Sequence, residues 1–355
     1  MTTLRTWTET IPTDAPEGDG TLTWDSTTIV LVQAEAGGRT GLGWTYAPAA
    51  AAQVVDGLLA DVVTGRDALA PESANDAMVR AVRNAGRPGL VAMAISAVDI
   101  ALWDLAARLQ DVPLHRLWGV DPDPVEVYGS GGFTTYDDDR LRTQVEGWCE
   151  LGLRRVKIKI GESWGSRVDR DLERAALARK VAGDPRDDGA DLFVDANGGY
   201  SAGEAIRVGR ALEDLGVVWF EEPVTSDDLP GLARVRDGVT ADVTAGEYGY
   251  DLTYFQRMAP SVDCLQVDVT RCGGYTEWRR IAAAAHAQHV PLSGHCAPYV
   301  SLPVAAASPG LRHLEWFHDH VRIEQRLFDG CPDPIDAHLT PSDAPGHGLT
   351  LKQPR

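Results

Sequence analysis

From about residue 125 onward, short apolar runs alternate with longer amphipathic stretches. Strand-like runs fall at 125–128, 155–160, 192–195, 217–221, 243–246, 264–268, 290–293 and 312–315. Helical periodicity fills gaps between them, at 171–181, about 201–215, 275–289 and 299–308. Repeated strand-then-helix units imply right-handed crossovers and a parallel sheet. Eight such strands in about 200 residues suit a closed barrel. A doubly wound open sheet is the competing arrangement.

The first 120 residues follow another pattern. Residues 27–33 alternate like an antiparallel strand, and Gly37, Gly38, Gly41 and Gly43 mark turns around it. Helical stretches follow at 49–63, 74–84 and 90–109, the last rich in small apolar residues. This predicts an α+β capping domain over 1–120, a linker at 121–124 and a barrel over 121–324. The tail, 325–355, is rich in Pro, Gly and Asp; it shows no clear element and is expected to pack back on the first domain.

Acidic residues recur where the predicted strands end. Asp195, Glu221 and Glu247 are spaced 26 residues apart, one β/α unit each. Barrel active sites lie at the C-terminal strand ends, so the three carboxylates should converge there. Crowded carboxylates need a neutralising cation, and oxygen-only ligands favour Mg2+ or a similar hard ion. The plain alternative is that each acid caps the helix after it.

Lys157 and Lys159 share one face of the strand RVKIKIG, opposite Val156, Ile158 and Ile160. With the apolar face toward the helices, both ammoniums point into the barrel mouth. Each should depress the pKa of the other, leaving a usable base near neutral pH. The alternative is that they snorkel to water. Asp268 and His295 occupy consecutive strand ends, where a carboxylate can orient an imidazole and stabilise its charge. Glu315 is a further strand-end acid, able to hydrogen-bond a substrate oxygen or simply to be solvated. His286, His289, His313, His318 and His320 lack such a neighbour and read as structural or surface residues. Asn197 either supports the metal site or makes a turn with Gly198 and Gly199. Gly273-Gly274 reads as a tight strand-to-helix turn. Trp24 and Tyr46 fall in expected loops of the first domain, where they cover a substrate or serve packing.

A net charge of −19 argues against a nucleic-acid partner. Cys149, Cys264, Cys272, Cys296 and Cys331 are odd in number and form no CxxC, which fits a reduced, cytoplasmic setting. No N-terminal apolar segment of the secretory kind and no uninterrupted apolar run of about 18 residues is visible, so neither export nor a membrane span is expected.

Taken together, KIK, DAN, EEP, GE, then an Asp and a His on successive strands and a late Glu resemble the mandelate racemase subgroup of the enolase superfamily. The resemblance extends to AISAVDIALWDL in the first domain. It implies a capping domain on a modified (β/α)7β barrel of the TIM type and one Mg2+ per chain on Asp195, Glu221 and Glu247. It further implies Lys159 and the Asp268-paired His295 as acid/bases on opposite faces of the substrate carbon. Lys157 would touch the substrate carboxylate and tune Lys159; Glu315 would hydrogen-bond that carboxylate as enolate charge develops. Asp268 stands where relatives that make muconolactone, succinylbenzoate or epimerised dipeptides keep a lysine. The implied chemistry is α-proton abstraction from a small carboxylate, foremost dehydration of an acid sugar to a 2-keto-3-deoxy acid. Racemisation of a 2-hydroxy acid and cycloisomerisation of a sugar-acid lactone are the alternatives. A homo-oligomer, from dimer to octamer, is implied as well. The segments 12–26 and 43–47 are the expected specificity loops.

Overall fold

The computed structural model describes residues 2–352. The chain opens with a three-stranded antiparallel sheet, β1 (Thr3–Gly18), β2 (Thr23–Ala36) and β3 (Arg39–Tyr46), in that order. The segments 12–26 and 43–47 are therefore mostly strand rather than loop. β1 pairs with β2 from Thr3↔Glu35 to Pro12↔Ser26, shifts register, and resumes at Glu17↔Trp24. Its polar sequence and two prolines hide it from a hydrophobicity pattern, because an edge strand needs no continuous apolar face.

Three helical segments follow: α1 (50–63), with a π turn in its middle, α2 (Pro71–Ala81) and α3 (Leu90–Leu109). α3 is long and apolar enough to cross a membrane by length and composition, but 83% of its apolar 18-residue stretch is buried inside the protein. It lies directly on β3. A Cβ on Gly41 or Gly43 would sit 2.2 Å from the carbonyl oxygens of Ala101 and Ala97. Only glycine permits that approach of strand to helix. The two buried acids of α3 have partners on other elements. Asp99 accepts from Thr276 N and Oγ1 and from Asn75, whereas Asp104 accepts from Leu42 N, Arg108 and His347 N.

The barrel strands are β4 (Val125–Gly131), β5 (Arg155–Lys159), β6 (Asp191–Asp195), β7 (Val217–Glu221), β8 (Asp242–Ala245), β9 (Cys264–Val267), β10 (Leu292–Gly294) and β11 (Leu311–Phe317). Each pairs in parallel with the next, and β11 pairs with β4 to close the ring. The intervening helices are α4 (Asp138–Glu150), α5 (Val168–Ala182), α6 (Ala202–Glu213), α7 (Leu229–Arg236), α8 (Leu252–Met258), α9 (Gly274–Ala287) and α10 (Pro298–Ala306). Gly273 and Gly274, both at positive φ, make the tight turn into α9.

The end of the chain is more ordered than its composition implied. α11 (His318–Leu327) follows β11 and bonds to the N-terminal sheet through Asp319–Thr27 and through Glu324 to Trp44 and Tyr46. Beyond it, β12 (Phe328–Asp329) pairs with β14 (Thr350–Leu351), and β13 (His338–Leu339) adds to β4. The tail thus touches both layers: His347 reaches Leu42 O, Arg108 reaches Leu349 O, and β13 lies on the barrel.

Strand period two sorts the barrel interior into levels. The lower level is an aromatic plug of Tyr128, Phe193, Trp219 and His313, with ring centroids 4.8–5.5 Å apart. His313, read from sequence as structural, is part of it, bonded to Ser293 at 2.9 Å. Two residues further along each of these strands, the inward positions become Ser130, Asp195, Glu221 and Glu315.

Candidate active site

The C-terminal strand ends gather the predicted ionisable residues. The ligand atoms of Asp195, Glu221 and Glu247 all lie within 4.8 Å of one another, and all three residues are buried. Asp195 and Glu221 are the last residues of β6 and β7, paired across the sheet. Glu247 reaches the same point differently. β8 ends at Ala245, and Gly246 at φ +142° turns the chain so that Glu247 enters the cluster. A Cβ at Gly246 would meet Gln266 O at 2.2 Å, so this turn requires glycine.

Lys157 is fully buried beneath the carboxylates. Its Nζ lies 2.6 Å from Glu221 Oε1 and 2.8 Å from Glu315 Oε1. Lys159 pairs with Asp195 and lines a cavity of about 470 Å³. The expectation that mutual repulsion leaves one lysine with a lowered pKa is overturned. Burial and, for Lys159, the neighbouring ammonium do pull downward, but Glu221, Glu315 and Asp195 outweigh them, and both lysines are held above their ordinary value. Strand geometry brings carboxylates from neighbouring strands against each ammonium.

Opposite this pair, His295 Nδ1 lies 2.8 Å from Asp268 Oδ2. The other oxygen of Asp268 accepts from Thr270 N and Oγ1, each at 2.7 Å. His295 Nε2 faces Glu247 Oε2 at 3.3 Å and Glu315 Oε2 at 3.7 Å. Burial works against a charged imidazole, yet the neighbouring Cys296, then Glu247, Glu315 and Asp268, hold its pKa well above the usual value. Lys159, on β5, and His295, after β10, are three strands apart by the shorter way round the ring, and both line the same cavity.

Glu315 does not reach that cavity. It is enclosed by Lys157, the Ser130 hydroxyl at 2.6 Å and the backbone N–H of Cys296 at 2.8 Å. Asn197 lines the cavity at φ +45°, with its N–H bonded to Asp195 Oδ1. Trp24 and Tyr46 line it from the N-terminal sheet. Trp24 donates to Glu17 at 2.9 Å, and the Tyr46 hydroxyl is turned away to Glu324 at 3.2 Å. His320, set aside from sequence, also lines the cavity, stacked on Tyr46 and accepting from Ala297 N. Burial lowers its pKa to about 4, so it is neutral near pH 7.

Arg271 escaped the sequence reading. It lies 3.2 Å from Glu247 and 3.4 Å from Asp268, linking the metal-type cluster to the histidine pair. Its signal was its position, three residues after Asp268. A larger cavity of about 730 Å³ adjoins through Asn197 and Tyr248, but neither Lys159 nor His295 lines it.

The donor set fits a hard divalent cation. Glu247 Oε2 accepts no hydrogen bond among the described residues, and burial with the charges of Asp195 and Glu315 pushes Glu221 up to about 8 despite Lys157. Three buried oxygen ligands in this state gain from a positive ion among them.

A parallel barrel under a mixed cap, with three carboxylates and two opposed bases at its C-terminal mouth, defines a class of enzymes that handle acidic C–H bonds. The chain belongs to the mandelate racemase / muconate lactonizing enzyme family, whose N-terminal domain model matches residues 1–119; an enolase C-terminal domain-like model matches 140–355. It is 33% identical to the 3,6-anhydro-alpha-L-galactonate cycloisomerase of Streptomyces coelicolor over 324 residues, 88% of this chain and 86% of that protein. It is 30% identical to the L-talarate/galactarate dehydratase of Salmonella typhimurium over 345 residues, 92% of this chain and 82% of that one. By superposition, a structure of that dehydratase liganded with Mg and L-lyxarohydroxamate matches with TM-score 0.88 and 26% identity, covering 99% of this chain and 90% of the other. A mandelate racemase/muconate lactonizing enzyme-like protein from Rubrobacter xylanophilus matches with TM-score 0.93 and 46% identity, covering 99% and 96%.

Proposed function

We propose that the protein is a Mg2+-dependent lyase that removes the α-proton of an acid sugar and expels the β-hydroxyl, giving a 2-keto-3-deoxy acid. The observation that carries this reading is the placement of Lys159 and the Asp268-bonded His295 across one cavity, beside the three-carboxylate cluster. An α-proton next to a carboxylate is weakly acidic, so its removal demands charge stabilisation and a base on the correct face. Bound at Asp195, Glu221 and Glu247, Mg2+ supplies positive charge to the substrate carboxylate and offsets the acids that keep the Lys159 pKa high. Lys159 takes the proton from one face. His295, charged and oriented by Asp268, delivers a proton to the departing hydroxyl from the other. Lys157 and Glu315 act from beneath, fixing the positions of Glu221 and the Cys296 backbone. Trp24 and Tyr46 close the cavity toward the N-terminal sheet and shield it from water.

A screen of acid sugars for a semicarbazide-reactive product tests this reading. At least one polyhydroxy acid should give a 2-keto product, and simple α-aryl hydroxy acids should not. Racemisation of such a hydroxy acid, with no sugar acid dehydrated, overturns it. The second reading, cycloisomerisation of a sugar-acid derivative, is favoured by the 33% identity to the Streptomyces cycloisomerase. It would appear in the same screen as conversion of an anhydro or lactone substrate.

A further inference from the structure

We propose that His295, Cys296 and Glu315 form a second cation site, selective for a thiophilic ion such as Zn2+, whose occupation inhibits the enzyme. The ligand atoms of all three side chains lie within 4.8 Å of one another, and all three residues are buried. Cys296 Sγ is 3.3 Å from His295 Nε2, and Nε2 is 3.7 Å from Glu315 Oε2. A tetrahedral zinc centre, with Zn–S of about 2.3 Å and Zn–N and Zn–O of about 2.0–2.1 Å, has S–N and N–O edges of about 3.3–3.6 Å. In the free protein two edges of such a face, 3.3 and 3.7 Å, are already close to these values, and the third lies within 4.8 Å.

The surroundings are built for a ligand role as well. His295 Nδ1 is committed to Asp268, which fixes the ring and turns Nε2 toward Cys296 and Glu315, the carboxylate–histidine pairing common at zinc. Cys296, at φ +49°, is anchored by its own N–H to Glu315 Oε2 at 2.8 Å. His295 and Cys296 both line the cavity, so a fourth position opens onto solvent or substrate. Ligand chemistry separates this site from its neighbour. Sulfur, nitrogen and oxygen suit Zn2+ or Co2+, whereas the all-oxygen cluster of Asp195, Glu221 and Glu247 suits Mg2+. On binding, the Cys296 thiol and the Nε2 of the charged His295 ring each release a proton to solvent, and both atoms then become ligands. An imidazole so held cannot transfer a proton, which is the cause of inhibition.

Co2+, standing in for Zn2+, tests the site in protein saturated with Mg2+. Wild type should show a thiolate-to-cobalt charge-transfer band that saturates at one equivalent per chain. Cys296→Ser and Cys296→Ala should both lose it. Glu221→Gln, altered in the carboxylate cluster, should keep it. Zn2+ added over excess Mg2+ should inhibit wild type at least about tenfold more tightly than Cys296→Ser, one metal–sulfur bond being lost. The band is a binding readout and does not depend on which acid is turned over. No thiolate band in wild type overturns the proposal. So does a band that survives both Cys296 variants, which would place the ion on another cysteine, or one lost in Glu221→Gln, which would show that the site is not separate from the carboxylate cluster.

Discussion

Phe193 and Asp195 stand two residues apart on one strand, and so do Trp219 with Glu221 and His313 with Glu315. In each pair the first residue belongs to an aromatic plug and the second to a field of charges. The two histidines of the barrel interior show the contrast best. Around His313, burial, Arg155 and Arg312 push the ring well below its usual pKa, and it sits neutral among Tyr128, Phe193 and Trp219. Around His295, also buried, Cys296, Glu247, Glu315 and Asp268 reverse the effect of burial. Depth alone does not decide protonation; the nearest charges do. The lower level spends its burial on packing, and the upper level holds charges that only a counter-ion or a reaction can use.

The largest effects should follow loss of the upper level's cation. Exhaustive chelation should abolish turnover, and metal analysis of the untreated protein should give about one Mg2+ per chain. Glu221→Gln should lose metal affinity in a titration, whereas replacement of Glu222 should cost less. Full activity with no metal detected would remove the distinction between the levels.

Next comes Gly246→Ala. The new Cβ would meet Gln266 O, and Glu247 would swing from the cluster. A drop of roughly 10–100-fold in metal affinity and kcat is expected, the range for disturbed metal ligation. Wild-type affinity would show that the turn at Gly246 does not position Glu247.

The lower level should answer in stability instead. Phe193→Ala removes a buried ring stacked on Trp219 at 5.1 Å and should cost about 3–5 kcal/mol in chemical denaturation. Activity per folded molecule should change far less than for any upper-level variant. A large loss of kcat in well-folded Phe193→Ala would show that the two levels are coupled.

How much of this was legible in the sequence follows the same division. The strand-end acids could be read because their 26-residue spacing is the length of a β/α unit, and the lysine pair because strand period two is strict. The direction of the lysine pKa shifts could not be read. It depends on distances between strands, such as 2.6 Å from Lys157 to Glu221, that no one-strand pattern contains. β1 was missed because Pro12, Pro16 and alternating polar residues carry no apolar stripe. α11 was missed because its buried positions are largely polar, Asp319, His320 and Glu324 among them, and are satisfied by partners far away in sequence.

The smallest effect concerns the seam between the N-terminal sheet and the barrel. Burial pushes Glu324 from its ordinary 4.5 up to about 8, although Tyr299 N, Trp44 and Tyr46 donate to it. The folded state then binds more protons than the unfolded state between pH 4.5 and about 8, so stability falls as pH rises through that window. Asp99, pushed up to about 7, and Glu17, pushed up to about 8, act in the same sense. Glu324→Gln should flatten, without abolishing, the decline of Tm between pH 5 and 8 (about the linkage window). An unchanged slope would show that Glu324 does not titrate there.

The central claim is that Lys159 and His295 act on the bound substrate from opposite faces. Exchange of the α-proton in D2O, followed by NMR on a pair of epimeric acid sugars, tests it most directly. Lys159→Ala should lose about 10²–10⁴-fold in exchange for the epimer whose proton faces the lysine and keep the other. His295→Asn should show the reverse, with Asp268→Asn a milder copy of it. Wild-type exchange of both epimers in either variant, or loss of the same epimer in both, would contradict the account.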